Sequence, residues 1–342
     1  MKPARLLLAG IVGAAVTLLG ATGAEAKDDE GKTRHYYIQA EDVVWDFAPT
    51  GQDLLKGGPV PEPWTNSHVF EKTRYIEYTD GSFNHRKTQP VWLGVLGPII
   101  RAEVGDTVIV HFRNQAPSGS YGMHPHGFRY DKDNEGAHYF GVNSGQPPGA
   151  GAEVPFGGSF DYVWVADPDS SPGPGDPSSL VWWYHSHITE QAETNRDLLG
   201  PLIITRKGDA RPNGSPKDVD REFVTAFFIF NELDGEEPGL MHAINGYIFG
   251  NLTKLTMNAG EKVRWYVMGM GNEVDLHTPH WHGKTVRVGG LFNGRQTDVV
   301  ELLPATMITV NMNADNPGEW MYHCHVADHL DAGMFTSYEI LP

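Results

Sequence analysis

The sequence predicts an all-β protein built as two β-sandwich domains, and two observations carry that prediction. Short apolar runs, among them Val108-Ile109-Val110, Leu202-Ile203-Ile204 and Met307-Ile308-Thr309-Val310, recur between turn signals supplied by 40 glycines and 24 prolines in 342 residues. The chain also repeats itself. Gly105-Asp106-Thr107-Val108 precedes His124-Pro125-His126-Gly127 as Gly260-Glu261-Lys262-Val263 precedes His280-Trp281-His282-Gly283, at offsets of 155 and 156. Tyr184-His185-Ser186-His187 matches Tyr322-His323-Cys324-His325 at an offset of 138. Each copy has the size of one sandwich.

In chain order, Met1-Lys2-Pro3-Ala4-Arg5, an apolar run from Leu6 to Leu19 and Ala24-Glu25-Ala26 have the form of an export signal over residues 1–26. The run is short for a membrane span, and no later segment is apolar enough to cross a bilayer. A secreted or periplasmic protein without membrane contact is therefore expected. The first sandwich is expected over residues 27–208. It is longer between its histidine motifs than the second copy, and Pro168 to Ser179 suits an inserted loop. Lys207 to Asp218, polar and rich in turn formers, reads as the linker. The second sandwich is expected over residues 209–342. A net charge of −17 argues against nucleic acid as a partner.

Cys324 is the only cysteine, so no disulfide can form within the chain, which favours a metal-bound role. Successive side chains of a strand point to opposite faces. Cys324 is thus predicted to face one way, and His323 and His325 the other. One strand then serves two metal sites, joined by a path of ~10 Å through thiolate, backbone and imidazole. His329 and Met334 follow five and ten residues after Cys324, and His277 is the candidate for a second imidazole. A thiolate, two imidazoles and a weak axial thioether are the ligands of a blue-copper site. The thioether favours Cu(II), so a modest potential is expected, which Met334→Leu should raise. The first copy has Ser186 where the second has Cys324, and Thr189 to Gly200 contains no His or Met. Only the second half is expected to hold such a centre.

Sixteen histidines would give about 0.75 His-x-His pairs by chance. Four occur, at 124/126, 185/187, 280/282 and 323/325, and each presents two imidazoles on one face of a strand. Two pairs come from each half. The economical arrangement sets them face to face between a first and a second domain. Eight imidazoles suit three coppers, and with the sulfur site these store the four electrons that carry dioxygen to water. His35, His68, His85, His111, His138 and His242 lack paired spacing and read as ordinary surface or core residues.

His-x-His-Gly, His-x-His, His-x-x-His-x-His-Gly and His-Cys-His-x₃-His-x₄-Met, in that order over residues 124–334, resemble the copper signatures of the multicopper oxidases. Pro90-Val91-Trp92-Leu93-Gly94, Gly269-Met270-Gly271-Asn272-Glu273 and Asn316-Pro317-Gly318-Glu319-Trp320 resemble stretches of ceruloplasmin and hephaestin. The short length and the cysteine in the second half resemble the bacterial two-domain laccases. The resemblance implies two cupredoxin-like Greek-key sandwiches and four coppers per chain. By motif position, the type 1 copper would take His277, Cys324, His329 and Met334, and the type 2 copper His124 and His280. The type 3 pair would take His126, His185, His187, His282, His323 and His325. Two-domain relatives are homotrimers in which the first domain of one subunit meets the second domain of the next. They carry a tyrosine near the type 2 copper, and Tyr130 stands in the matching place.

The expected reaction is one-electron oxidation of a small-molecule donor, by way of an exposed His329 or His277, coupled to reduction of O₂. Asp131, Asp133 and Glu135 are weaker proton-relay candidates than Tyr130. Asp275, two residues before His277, would accept a phenol proton, steer a cation, or hydrogen-bond a ligand. A laccase-type phenol oxidase is the first reading. An oxidase of Fe(II) or Cu(I) is the second, on the ceruloplasmin-like stretches and the acidity. A cupredoxin electron carrier or copper store is the third, and it leaves eight histidines unexplained.

Overall fold

A computed structural model of the chain describes residues 31–138, 147–233, 239–272, 274–289 and 294–342. The expected export signal lies outside the described residues. Residues Gly31–Pro342 form one compact unit. The fold is all-β, as expected, with cupredoxin-like sheets; the α-helices among the described residues are single turns, Glu190–Thr194 and Ala327–Asp331.

Four sheets make the fold, two from each half of the chain. The first orders Val69–Tyr78, Thr33–Asp46, Thr107–Asn114 and Ser159–Val165, and the second Ile100–Glu103, Leu199–Thr205, Ser179–His185 and His124–Pro125. The second half repeats both patterns. Arg221–Asn231 runs parallel to Lys262–Gly269 as Thr33–Asp46 does to Thr107–Asn114. Leu255–Asn258 runs parallel to Phe335–Leu341 as Ile100–Glu103 does to Leu199–Thr205.

Side-chain alternation explains the layering. In Thr107–Asn114, Val108, Val110 and Phe112 are buried while His111 and Arg113 face outward, the pattern of a sheet with one wet face. Leu199–Thr205 is buried at every position, because both of its faces are covered. One core, containing Val110, Trp164, Tyr184 and Leu202, fills the first sandwich. Another, containing Phe227, Trp265, Trp281, Tyr322, Cys324 and Met334, fills the second. A third joins the halves, with Trp183 and Ile203 from one against Val224, Phe228 and Tyr266 from the other. Each fully buried large apolar side chain contributes roughly 1.5–3 kcal/mol, so this third core fixes one half on the other.

The stretch read as a linker is tied down. Asp218 pairs with Arg264, which is wholly buried, at 2.9 Å. The same guanidinium donates to Ser178 at 2.8 Å, Ser179 at 2.7 Å and Asn311 at 2.9 Å. Composition alone gave no sign that Asp218 would partner a buried cation.

Candidate metal centres

The strand Gly318–Cys324 ends at Cys324, whose side chain enters the second core while His323 and His325 stack on the other side, ring centroids 5.4 Å apart. Both directions agree with the alternation read from the sequence. The helical turn Ala327–Asp331 then brings His329 back over the sulfur. The loop closes through two hydrogen bonds, from Cys324 N–H to Met334 O at 3.1 Å and from Met334 N–H to His329 O at 3.0 Å. His277 arrives on a bridge with Leu302. The Cys324 sulfur lies 3.9 Å from His277 Nδ1 and 3.6 Å from His329 Nδ1, and those nitrogens are 3.2 Å apart. A circle through the three atoms has a radius of about 2.1 Å, within metal–ligand bond lengths of about 2.0–2.3 Å. The donor set and its spacing therefore fit copper, with Met334 buried in the same cluster.

Asp275 is wholly buried. One oxygen accepts from Ile229 N–H at 2.7 Å and from His277 Nε2–H at 3.4 Å; the other accepts from Asn272 N–H at 2.8 Å. This fixes the His277 tautomer with Nδ1 free toward the sulfur. Gly271, at φ +122°, makes room, since a Cβ there would lie 2.0 Å from the carboxylate. Asp275 therefore sits behind the ring, with none of its side chain exposed. The expectation of an exposed imidazole is corrected likewise. His277 is 0% exposed and His329 6%: Phe227 of the second core packs on His277, and His329 sits on the Ala327–Asp331 turn against His242.

The paired histidines form two matching groups. Strand pairing sets His124 opposite His185, and His280 opposite His323. His126 Nε2 lies 3.1 Å from His185 Nε2, and His282 Nε2 3.0 Å from His323 Nε2. His187 rings pack on His124 and His185 in one group, as His325 packs on His280 and His323 in the other. Backbone carbonyls take the other ring nitrogen: His124 Nδ1–H donates to Glu135 O at 2.7 Å, His280 to Asp298 O at 2.9 Å, His185 to Ser186 O at 2.9 Å, and His323 to Cys324 O at 2.7 Å. Each leaves an Nε2 lone pair for a metal. The glycine after the first His-x-His of each half takes a left-handed turn, φ +73° at Gly127 and +69° at Gly283, against the faces of Trp182 and Trp320.

Among the described residues, no hydrogen bond or ring contact joins one group of four to the other. Both groups open to the surface: His282 and His325 are exposed, and His124, His126 and His187 partly so.

Burial keeps the most enclosed of these imidazoles, His126, His185 and His323, neutral and thus able to ligate. It lowers His126 to about 4, His185 to about 3 and His323 to about 4. Burial raises the Cys324 thiol, so a metal binding there must displace a proton. Tyr130 stands beside His124, ring centroids 5.8 Å apart. Asp131 and Asp133 accept loop N–H groups, and Glu135 meets His124 through its backbone carbonyl.

His242, read from the sequence as ordinary, packs its ring on His329 with centroids 4.8 Å apart and is 1% exposed. Burial first, then His329, lowers it to about 4, while the exposed Asp328 pulls the other way. Glu190 reaches 3.4 Å from His187 Nε2. Neither residue belongs to a spaced motif, so the sequence carried no signal for them. Among the described residues, no helix is long and apolar enough to cross a membrane.

Two multicopper oxidase family models match the chain, at residues 75–209 and 224–342. Ferroxidase HEPHL1 of Homo sapiens is 38% identical over 90% of this chain and 29% of its own length. Human hephaestin is 36% identical over 91% and 30%, and human ceruloplasmin 35% over 90% and 32%. The chain thus spans about a third of the length of these relatives. Among solved structures, a multicopper oxidase has a TM-score of 0.64 at 19% identity, covering 90% of this chain and 89% of that one. A blue copper oxidase from Nitrosomonas europaea has a TM-score of 0.61 at 21% identity, covering 90% and 86%; both show the likeness of fold. With its two model matches and relatives above one-third identity, the chain belongs to the multicopper oxidase family.

Proposed function

We propose that this enzyme oxidises ferrous ion one electron at a time beside the sulfur site and reduces O₂ to water at clusters completed between chains. The observation that carries the donor is the His242–Asp328–His329 grouping. Asp328 is an exposed carboxylate whose charge is felt by His242, His329 and Cys324. A carboxylate and an imidazole are ligands for a divalent cation, and a ferrous ion held by them lies against the ring of His329. Relatives named ferroxidase, at 38% identity, support this reading.

Copper, four per chain as one type 1, one type 2 and two type 3, supplies the one-electron steps and the four-electron reduction of O₂. His277, Cys324, His329 and Met334 would hold the first, His124 and His280 the second. His126, His185, His187, His282, His323 and His325 would hold the pair. Cys324 and His323 share a peptide, and the His323 to Cys324 hydrogen bond of 2.7 Å adds a second link. Asp275 orients His277. Tyr130, against His124, would pass protons to the cluster. The open faces of the two histidine groups support a homotrimer in which each group meets its counterpart on a neighbour. Residues 1–26 support export to the periplasm or medium.

Phenol oxidation of laccase type is the second reading. A cavity of about 500 Å³ lined by Phe228, Ile229, Met270, Asn231 and Asn272 adjoins the backbone that holds Asp275, and its mixed lining suits an aromatic donor. Steady-state kcat/KM for Fe(II) and for 2,6-dimethoxyphenol separates the two. The ferrous reading expects Asp328→Asn and His242→Ala to lower kcat/KM for Fe(II) about tenfold, or about 1.4 kcal/mol, with little effect on the phenol. Equal losses on both donors, or turnover of the phenol alone, would reject it.

A further inference from the structure

A different histidine arrangement stands on the outer face of the first sheet. Thr33–Asp46 runs parallel to Thr107–Asn114, which runs antiparallel to Ser159–Val165. Their register sets Tyr37 beside His111, and His111 beside Asp161. His35 Nδ1 and His111 Nε2 are 3.0 Å apart, and His111 Nδ1 is 3.0 Å from Asp161 Oδ1. The two imidazoles lie within 5° of coplanar, with centroids 5.3 Å apart. The excess of that separation over the nitrogen gap is what two ring radii supply, so the nitrogens face each other along the line of centres. Tyr37 stacks on His111 at 4.7 Å. His111 is thus held by its face and by its Nδ1, while His35 is exposed.

We propose that His35 and His111 bind a further copper ion, in the cuprous state, apart from the centres described above. Three features argue for it. Asp161 accepts the Nδ1–H of His111, which leaves the Nε2 lone pair aimed at His35, the carboxylate–histidine arrangement that orients metal ligands. The gap of 3.0 Å matches the 3.1 and 3.0 Å between facing nitrogens in the two histidine groups. Two coplanar imidazoles on one line are the donors of a linear two-coordinate cuprous ion, and imidazole suits copper. Two bonds of about 2.0 Å need the nitrogens about 4 Å apart. The exposed His35 side chain withdraws by that difference and moves its proton from Nδ1 to Nε2, which then donates to solvent, so no proton is lost overall, while His111 stays in place.

The test is a competition titration. The copper-loaded enzyme, reduced with ascorbate under argon, is titrated with cuprous ion held by bicinchoninate. Wild type is expected to withdraw one more equivalent per chain than His35→Ala/His111→Ala. Asp161→Asn, at a positioning residue, is expected to keep that equivalent and bind it about 10–100-fold more weakly. Blue absorption and O₂ uptake are expected to be unchanged in both. Superimposable curves for wild type and the double variant would overturn the proposal, as would displacement of the extra equivalent by stoichiometric Zn²⁺. If the double variant melts early, His35→Ala alone carries the comparison, because that side chain is exposed.

Discussion

Cys324 and Ser186 occupy the same place in two copies of one fold, and their surroundings show how little separates a candidate metal centre from a structural site. Each follows a histidine that pairs across to the first His-x-His, and each accepts a backbone N–H, from Thr278 to the sulfur at 3.4 Å and from Gly122 to the hydroxyl at 3.1 Å. In the second copy, His277 stands three residues before His280, and His329 four residues after His325. In the first copy the corresponding residues are Tyr121 and Gln191. There the carboxylate of buried Glu193 turns back to accept the N–H groups of Ile188 and Thr189, both at 3.0 Å. The first site is closed by its own backbone. In the second, buried donor atoms converge on one point.

The largest effect should come from erasing this difference. Cys324→Ser is expected to abolish the blue band, lower bound copper by one per chain and reduce O₂ uptake to background, while the signals of the other coppers persist. A variant that stays blue would refute the assignment of the sulfur.

Mixing tests whether the two histidine groups meet between chains. A variant lacking His126 and a variant lacking His282 should each be inactive. Unfolded together and refolded at equal amounts, they should regain about one quarter of wild-type activity, since random assembly around a rotational axis leaves that share of interfaces with both groups intact. No recovery would place the whole cluster inside one chain.

Asp275→Asn probes what holds the second copy open. Its loss as an acceptor for His277 is expected to weaken type 1 copper about 10–100-fold, read by chelator competition on the blue band, with the other coppers retained. A donor-facing role predicts instead a change in KM at constant copper affinity.

The gentlest effect should come from acid, and it should reach both halves. His126 and His185 in the first sit at about 4 and about 3 in the fold, and His242 and His323 in the second at about 4 each, below the ordinary 6.5. The unfolded chain therefore binds more protons across that interval. Stability of the copper-free protein is full above about pH 6.5 and falls as pH drops toward 3–4. Denaturant melts from pH 7.5 to 4.5 check this. Bound copper should hold the profile flat until it dissociates.

The histidine and cysteine groupings were legible in the sequence because strand alternation and duplicated spacing are local facts that one chain displays openly. The single cysteine, the offsets of 155, 156 and 138 and four His-x-His pairs needed no tertiary knowledge. His242 was not legible, because only the pairing of Leu240–Ile244 with Arg221–Asn231 and the Ala327–Asp331 turn bring it to His329. The burial of His277, His329 and Asp275 was missed for the same reason: it depends on which elements cover them. Nor could spacing show whether the two histidine groups meet in one chain, since that follows from how the sandwiches pack.

Arg264 carries a consequence for the history of the duplication. Its guanidinium belongs to the second copy, and the oxygens of Ser178, Ser179 and Asp218 that neutralise and satisfy it come from the first copy and the join. Expressed alone as residues 209–342, the second copy would keep Asp218 and Asn311 but lose the hydroxyls of Ser178 and Ser179, leaving part of a buried guanidinium without its acceptors, at a cost of about 1–3 kcal/mol. Two repeats of one fold have thus come to share a buried cation whose acceptors neither supplies in full.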